Sequence, residues 1–205
     1  MNKVSRIEKL FKNNKACVAY LTAGDGGIQR TLDAALGLIA GGVNMLEIGV
    51  PFSDPIADGP IIQRAAARSL MAGTTLEDVL WLSSEIRKHS DIPLVLFSYI
   101  NPILAALPFD FIQQAKSAGI DGLLLVDCPM EESQIIHALC TQHEISLIHV
   151  ITSATSLQRV QKLDQDGDGF LYYACRKGTT GVRDAMPDDF QEKMLAIKSV
   201  ISLPV

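Results

Sequence analysis

The chain has 205 residues and a mass of 22.2 kDa, with 48% hydrophobic and 20% charged residues. A chain of this size buries roughly 70% of its unfolded surface, which predicts one compact domain. The formal net charge is −5 without a basic run, which argues against non-specific nucleic-acid binding. Neither a membrane-spanning apolar run nor a secretory signal pattern is present, and the cysteines lack CxxC spacing. We therefore expect a cytoplasmic protein with reduced thiols.

Short apolar runs alternate with longer amphipathic segments along the chain. The predicted strands are, in chain order, Ala16–Thr22, Val43–Val50, Leu94–Tyr99, Gly122–Asp127, Ser146–Ile151 and Gly169–Cys175. The predicted helices are Thr31–Ala40, Ile61–Met71, Leu76–His89, Phe109–Ala118, Glu131–Gln142, Leu157–Leu163 and Phe190–Ser199. Because near-continuous apolar strands are buried on both faces, this alternation predicts an α/β fold with a parallel sheet covered by helices.

The spacing of the strands favours a closed sheet. They recur at intervals of roughly 25–30 residues, and no GxGxxG turn follows the first strand, which favours a (β/α)8 TIM barrel over a dinucleotide-binding sheet. A complete barrel takes about 250 residues, and Pro204-Val205 is typical of the first step of a seventh strand. We expect residues 1–205 to form a single barrel domain of about six and a half βα units. It would be C-terminally incomplete, lacking most of strand 7 and all of strand 8.

The second predicted strand carries an acidic residue inside an apolar run. Strand alternation puts Met45, Glu47 and Gly49 on one face and aliphatic side chains on the other. Since the aliphatic face suits the helices, we predict that Glu47 points into the barrel near the carboxyl ends of the strands, where barrel enzymes hold their active sites. Burial would raise the pKa of its carboxyl toward a range useful for proton transfer. A buried Glu paired with a cation, or one in contact with water, is the structural alternative.

The loop after this strand, PFSDPIADGP, contains two aspartates between prolines that restrict the backbone. Asp is a common turn residue, so Asp54 and Asp58 each have a structural interpretation. A stiff loop that returns a second carboxylate over the barrel would also suit charge stabilisation, and Asp58 is the candidate for that role.

The sixth predicted strand continues into a glycine-rich loop, FLYYACRKGTTGVRD. Glycines allow backbone N–H groups to approach an anion, so Gly178 and Gly181 indicate a phosphate site, and a flexible lid is a compatible alternative. Tyr172 would point toward the barrel mouth, although a core tyrosine is the more common case. The segment LDQDGDG matches only half of a calcium-binding loop, and the histidines lack metal-ligand spacing, so we predict no metal site.

The segment LEIGVPFSDPIADGPIIQRA resembles the signature of the tryptophan synthase alpha chain family. The resemblance continues, in the family's order, through YLTAGDGG, VLFSYINPIL, AGIDGLLLVDCPMEES and FLYYACRKGTTGVR. It implies a (β/α)8 barrel lyase that cleaves indole-3-glycerol phosphate by a retro-aldol reaction to indole and glyceraldehyde 3-phosphate. It also implies that Glu47 is the catalytic general acid and base, and that Asp58 stabilises positive charge on the indole N–H. The indole pocket would be lined by Tyr20, Phe97 and Tyr172.

The same resemblance implies roles for the rim loops. Thr180 would close against the aspartate, and Gly181 would contact the substrate phosphate through its backbone. Pro51 and Asp54 would lie on the surface that meets a tryptophan synthase beta chain, in an alpha2beta2 heterotetramer. Indole would pass through a tunnel to pyridoxal phosphate bound in the beta chain, for condensation with L-serine to L-tryptophan, so we expect no cofactor in this chain.

Two alternatives remain open. The loop reads GTTG where the family usually has GVTG, and Ala174-Cys175 replaces an apolar-Ser pair. These rim substitutions suit an alpha subunit with little or no lyase activity that acts mainly as an allosteric activator of the beta chain. Another phosphate-binding barrel enzyme, such as a sugar-phosphate aldolase, is the third interpretation. The predicted strands carry no Lys for a Schiff base, which argues against it.

Overall fold

A parallel sheet runs through the chain in sequence order. The structure is a computed structural model that describes residues 5–12, 15–175 and 186–205. Within these residues the strands are β1 (Val18–Thr22), β2 (Met45–Gly49), β3 (Leu94–Ser98), β4 (Gly122–Leu125), β5 (Ser146–Thr152) and β6 (Leu171–Ala174). Each strand pairs in parallel with the next, in the order β1-β2-β3-β4-β5-β6. This is the strand order of a barrel wall, so the predicted α/β barrel architecture is confirmed.

Helices connect the strands and cover the outside of this wall. The described helices are α1 (Arg6–Phe11), α2 (Ile28–Ala40), α3 (Pro60–Met71), α4 (Leu76–His89), α5 (Ile100–Ala106), α6 (Phe111–Ser117), α7 (Gln134–Gln142), α8 (Leu157–Asp166) and α9 (Phe190–Lys198). Short 3-10 helices at Leu107–Phe109 and Met130–Glu132 precede α6 and α7. The structure therefore begins α7 three residues later than the sequence pattern predicts, because a 3-10 turn takes up Met130–Glu132.

Two short helices lie outside the predicted set. In α1, the Ser5 side chain caps the helix and the Glu8 carboxylate returns to the Ser5 backbone N–H. Ile7 of this helix packs into the barrel interior at the amino ends of the strands. In α5, Pro102 occupies the first turn, where the missing N–H has no partner to lose. Neither helix is long enough to display the 3.6-residue period from which helices are recognised in a sequence.

The strands separate two apolar layers. Their inward side chains form an inner cluster with α1, which contains Ile7, Met45, Val95, Leu124, Ile148 and Phe170. The alternate side chains, such as Leu46, Ile48 and Leu96, face the helices in the larger outer cluster. This alternation decides which residues of each strand can reach the space inside the barrel.

A charged cluster joins the amino ends of the strands. Asp121 precedes β4 and is 7% exposed, and its carboxylate accepts hydrogen bonds from Arg6 (3.0 Å) and Arg87 (2.8 Å). The same carboxylate accepts the backbone N–H of Leu94 at 3.0 Å. Arg6 also reaches the exposed Asp91. The cluster ties α1, α4 and the starts of β3 and β4 together on the face opposite the candidate site.

The segment after α9 returns to the sheet. The Leu171 N–H of β6 donates to the carbonyl of Pro204 at 2.8 Å, and the Asp164 carboxylate accepts the backbone N–H groups of Ser202 and Leu203. Residues 202–205 therefore run beside β6, where the sequence predicts the start of another strand. In the part of the chain that the structure describes, no helix combines the length and apolar character needed to cross a bilayer.

Candidate active site

Glu47 lies on the inward face of β2, as strand alternation predicts. Its Cα partners are Tyr20 in β1 and Val95 in β3, while its neighbours Leu46 and Ile48 pack outward against the helices. The Glu47 side chain is 5% exposed, and burial raises the pKa of its carboxyl to about 7. None of the ion pairs among the described residues includes it. A carboxyl in this condition can hold or release a proton near neutral pH.

Three aromatic side chains form a wall beside Glu47. Tyr20 of β1 and Phe97 of β3 meet edge to face, with ring centroids 5.4 Å apart and an interplanar angle of 81°. Phe97 meets Tyr172 of β6 in the same way, at 6.1 Å and 73°. Edge-to-face contacts of this kind stabilise aromatic clusters. The wall is therefore a rigid apolar surface with a titratable carboxyl beside it.

The pKa of the Tyr20 hydroxyl is affected by both acidic residues of the site. Burial, together with the negative charges of Asp58 and Glu47, raises the pKa of Tyr20 to about 12. Thr22 Oγ1 lies 3.4 Å from the Tyr20 Oη and donates a long hydrogen bond to it. The Tyr20 phenol therefore stays protonated at neutral pH, and the Asp58 and Glu47 carboxyl groups both lie near enough to raise its pKa.

The loop from Val50 to Gly59 turns Asp58 inward and leaves Asp54 outside. The Asp58 N–H donates to the Pro55 carbonyl at 3.0 Å, and Gln63 Nε2 donates to the Asp58 carbonyl at 2.9 Å. Asp58 is 8% exposed, whereas Asp54 is exposed. Burial raises the pKa of Asp58, while a hydrogen bond with Tyr99 acts in the opposite direction. The two aspartates of the loop therefore have different environments, and the buried one is Asp58, the residue that the sequence analysis selected for charge stabilisation.

Tyr99 is a site residue that sequence reasoning missed. It follows β3 directly, is 3% exposed, and its Oη accepts the Ala57 N–H at 2.9 Å. Its ring packs on Phe52, with centroids 5.1 Å apart. A tyrosine after an apolar run resembles ordinary core. Its position at the carboxyl end of a barrel strand was the available signal.

The other predicted residues fall in three places. Pro51 is buried at the start of the loop, and Asp54 presents its carboxylate on the surface. Thr180 and Gly181, the predicted loop residues, lie outside the described residues. Among the described residues, no group of three or more His, Cys, Asp or Glu side chains is arranged to hold a metal ion.

The strand order defines a (β/α)-barrel protein, and its candidate site combines a buried titratable carboxyl with aromatic side chains, as in barrel enzymes. The family described as tryptophan synthase alpha chain matches residues 7–205. This chain belongs to the tryptophan synthase alpha chain family, and it is a lyase of the tryptophan synthase type.

Individual relatives support the assignment over nearly the whole chain. A tryptophan synthase alpha chain from Coxiella burnetii (strain CbuK_Q154) is 53% identical over 202 residues, covering 98% of this chain and 78% of the relative. A structure of Mycobacterium tuberculosis tryptophan synthase matches with a TM-score of 0.91 and 28% identity, covering 99% of this chain and 79% of that one. A tryptophan synthase complex from Pyrococcus furiosus matches with a TM-score of 0.84 and 32% identity, covering 93% and 75%. The resemblance seen in the sequence is confirmed.

Proposed function

We propose that this chain is the lyase half of a tryptophan synthase and cleaves indole-3-glycerol phosphate to indole and glyceraldehyde 3-phosphate. The observation that carries the proposal is the inward Glu47 carboxyl, whose pKa is raised to about 7 beside an aromatic wall. A flat indole ring suits the wall, and a carboxyl that exchanges its proton near neutral pH suits the reaction.

The retro-aldol cleavage needs two proton transfers. A proton is added to indole C3, and the proton of the side-chain hydroxyl on the neighbouring carbon is removed. The carbon–carbon bond then breaks, its electron pair returns to the indole ring, and the hydroxyl carbon becomes the aldehyde carbon. In this proposal the Glu47 carboxyl gives the first proton and takes the second, which a pKa near 7 allows in both directions.

Protonation at C3 places positive charge on the indole nitrogen. The Asp58 carboxylate is the proposed partner of that nitrogen, because a fixed negative group stabilises charge that develops only during the reaction. Its burial and its electrostatic effect on Tyr20 support this role. Tyr20, Phe97 and Tyr172 would hold the ring, Thr180 would close against Asp58, and Gly181 would contact the phosphate through its backbone.

We further propose a beta chain as the partner. The similar structure from Pyrococcus furiosus is that of a tryptophan synthase complex. The loop that carries Asp58 also presents the exposed Asp54 carboxylate and the Ile56 side chain, which lines one surface groove with the exposed Met71 of α3. Neighbouring exposed apolar side chains of this kind suit a docking surface. The proposed assembly is a cytoplasmic alpha2beta2 heterotetramer in which Asp54 contributes to the contact and the buried Pro51 fixes the start of the loop that presents it. Indole would pass to pyridoxal phosphate in the beta chain, and this chain would carry no cofactor. Residues 1–205 would form one barrel domain.

Indole release from indole-3-glycerol phosphate tests the proposal, measured with and without a beta chain. The Glu47→Gln variant keeps the volume but cannot exchange a proton, and we expect its kcat/KM to fall at least about 100-fold. Glu77→Gln makes the same change on the outside of α4 and serves as the control. If Glu47→Gln cleaves as fast as the parent, the mechanism is wrong. If the parent stimulates condensation of indole with L-serine by the beta chain without cleaving the phosphate substrate, the activator function replaces the lyase.

A further inference from the structure

We infer that Tyr99 is a positioning residue that holds the Asp58 loop and keeps the Asp58 carboxyl group in place. The inference deepens the proposed function, because it assumes that Asp58 is the group whose position and charge count. It rests on contacts made by Tyr99 from outside the loop.

Tyr99 holds the loop at two points. Near the start of the loop, the Tyr99 ring packs on Phe52 at 5.1 Å with an interplanar angle of 31°. Near its end, the Tyr99 Oη accepts the Ala57 N–H at 2.9 Å and lies close enough to the Asp58 carboxyl for each group to affect the pKa of the other. The loop between β2 and α3 is therefore fastened to the end of β3 by one buried side chain.

A tyrosine is chemically suited to this position. Its phenol has one donor and two acceptor lone pairs, so it can accept from a backbone N–H and donate to a carboxylate at once. Phenylalanine could reproduce the packing on Phe52 but neither hydrogen bond. The hydroxyl oxygen is therefore the atom that links Tyr99 to Asp58.

Donation from the phenol also affects the charge of Asp58. Burial alone favours the neutral acid, and the Tyr99 hydrogen bond lowers the pKa of Asp58 against that effect. Among the residues that the structure describes, the other titratable groups of the site are Tyr20 from β1, Glu47 from β2 and Tyr172 from β6. Since Tyr20 stays protonated to about pH 12, Glu47 is the neighbour whose titration must be separated from that of Asp58.

The test is Tyr99→Phe, with Tyr173→Phe as the matched control. Tyr173 faces the outer layer of β6 and stacks on Phe190, so its variant removes the same atom away from the site. The Asp58 pKa is read by carboxyl carbon NMR, with Asp58→Asn to identify its resonance and Glu47→Gln to identify that of Glu47. We expect Tyr99→Phe to raise the Asp58 pKa by about one unit and Tyr173→Phe to leave it unchanged.

Two further measurements separate positioning from general destabilisation. The acid limb of kcat/KM for indole release moves up by about one pH unit in Tyr99→Phe, with kcat affected more than KM. The Ala57 amide exchanges slowly with solvent in the parent protein and at least about tenfold faster in the variant. Slow exchange of the Ala57 amide can be measured in the parent protein even if the variant does not fold.

The outcomes distinguish this inference from the proposed function. An Asp58 pKa unchanged in Tyr99→Phe, or an Ala57 amide that exchanges freely in the parent, overturns the inference whatever the cleavage rate. A raised Asp58 pKa in a parent that does not release indole supports the link between Tyr99 and Asp58, and counts against the lyase function alone.

Discussion

A Cβ atom on Gly49 would lie 2.1 Å from the hydroxyl oxygen of Tyr20. Tyr20 is the cross-strand partner of Glu47, and its side chain leans along the sheet into the space that a side chain at Gly49 would occupy. The ring atoms Cζ and Cε2 would be only 2.5 and 2.8 Å away. The glycine two residues after Glu47 is therefore what lets Tyr20 lie beside that carboxyl.

Replacing Gly49 with Ala should displace the Tyr20 ring from the aromatic wall. We expect kcat/KM for indole release to fall at least about tenfold, because the wall loses its contact between Tyr20 and Phe97. Overpacking of this kind should also lower the free energy of unfolding by about 1–3 kcal/mol. Steady-state kinetics and urea unfolding measure the two effects.

Gly37→Ala is the control for that substitution. Gly37 is exposed within α2, and a Cβ there would meet nothing within 4 Å. Alanine is the better helix former, so this variant should gain about 0.5–1 kcal/mol and keep its activity. Equal kinetics for Gly49→Ala and the parent would contradict the proposed indole wall.

The Asp58→Asn variant removes a negative charge while keeping the side-chain volume. We expect kcat for indole release to fall about 100-fold, since the carboxylate is proposed to stabilise charge that develops on the indole nitrogen. The exposed Asp33 of α2 provides the matched Asp33→Asn control, which should cleave at the parental rate. Comparable rates for the two variants would remove Asp58 from the mechanism.

The raised pKa of Glu47 should make the stability of the protein depend on pH. Between pH 4.5 and about 7, the unfolded chain ionises Glu47 while the folded protein keeps it protonated. The stability contributed by the protonated group is full below pH 4.5 and is lost as the pH rises to about 7. A difference of that size corresponds to about 3 kcal/mol.

Urea unfolding of the parent and of Glu47→Gln at pH 4.5 and pH 8 measures this dependence. The glutamine variant has no proton to lose, so the stability of the parent relative to it should fall by about 3 kcal/mol between the two pH values. A constant difference between the two proteins would show that the Glu47 pKa is close to its ordinary value.

The charged cluster on the opposite face should affect stability and not chemistry. Asp121→Ala leaves the half-buried Arg87 without its carboxylate and the Leu94 N–H without an acceptor, which should cost about 3 kcal/mol. Asp91→Ala removes a side chain that is 93% exposed and should cost less than about 1 kcal/mol. Thermal unfolding compares the two. A fall in kcat of the folded Asp121→Ala protein at a temperature well below its midpoint would contradict this separation.

The strands were more predictable than the short helices. The inner strands β2 to β5 are mostly buried apolar runs, whereas β1 and β6 are only partly buried, and every predicted strand overlaps an observed one. The helices α1 and α5 were missed because one depends on a capping box and the other tolerates Pro102 in its first turn. In both, local hydrogen bonding and burial against the barrel replace the period on which sequence prediction relies.

The candidate site was likewise predictable only in part. Alternation along β2 was enough to predict that the Glu47 side chain points inward, because successive side chains of a strand face opposite sides. The period of the sequence carries no information on which aspartate of the next loop is buried. That choice depends on Tyr99, which is more than forty residues from Asp58 in the chain and reaches the loop only after β3 has paired with β2.

The sequence by itself determined the α/β class and the inward direction of Glu47, since these follow from local periods of hydrophobicity. The spacing of the strands favoured a barrel. Only the tertiary structure decided that Asp58 is buried while Asp54 is exposed, that Tyr20 occupies the space above Gly49, and that Tyr99 fastens the loop. Each of these depends on contacts between segments far apart in the chain, and such contacts exist only once the strands lie side by side.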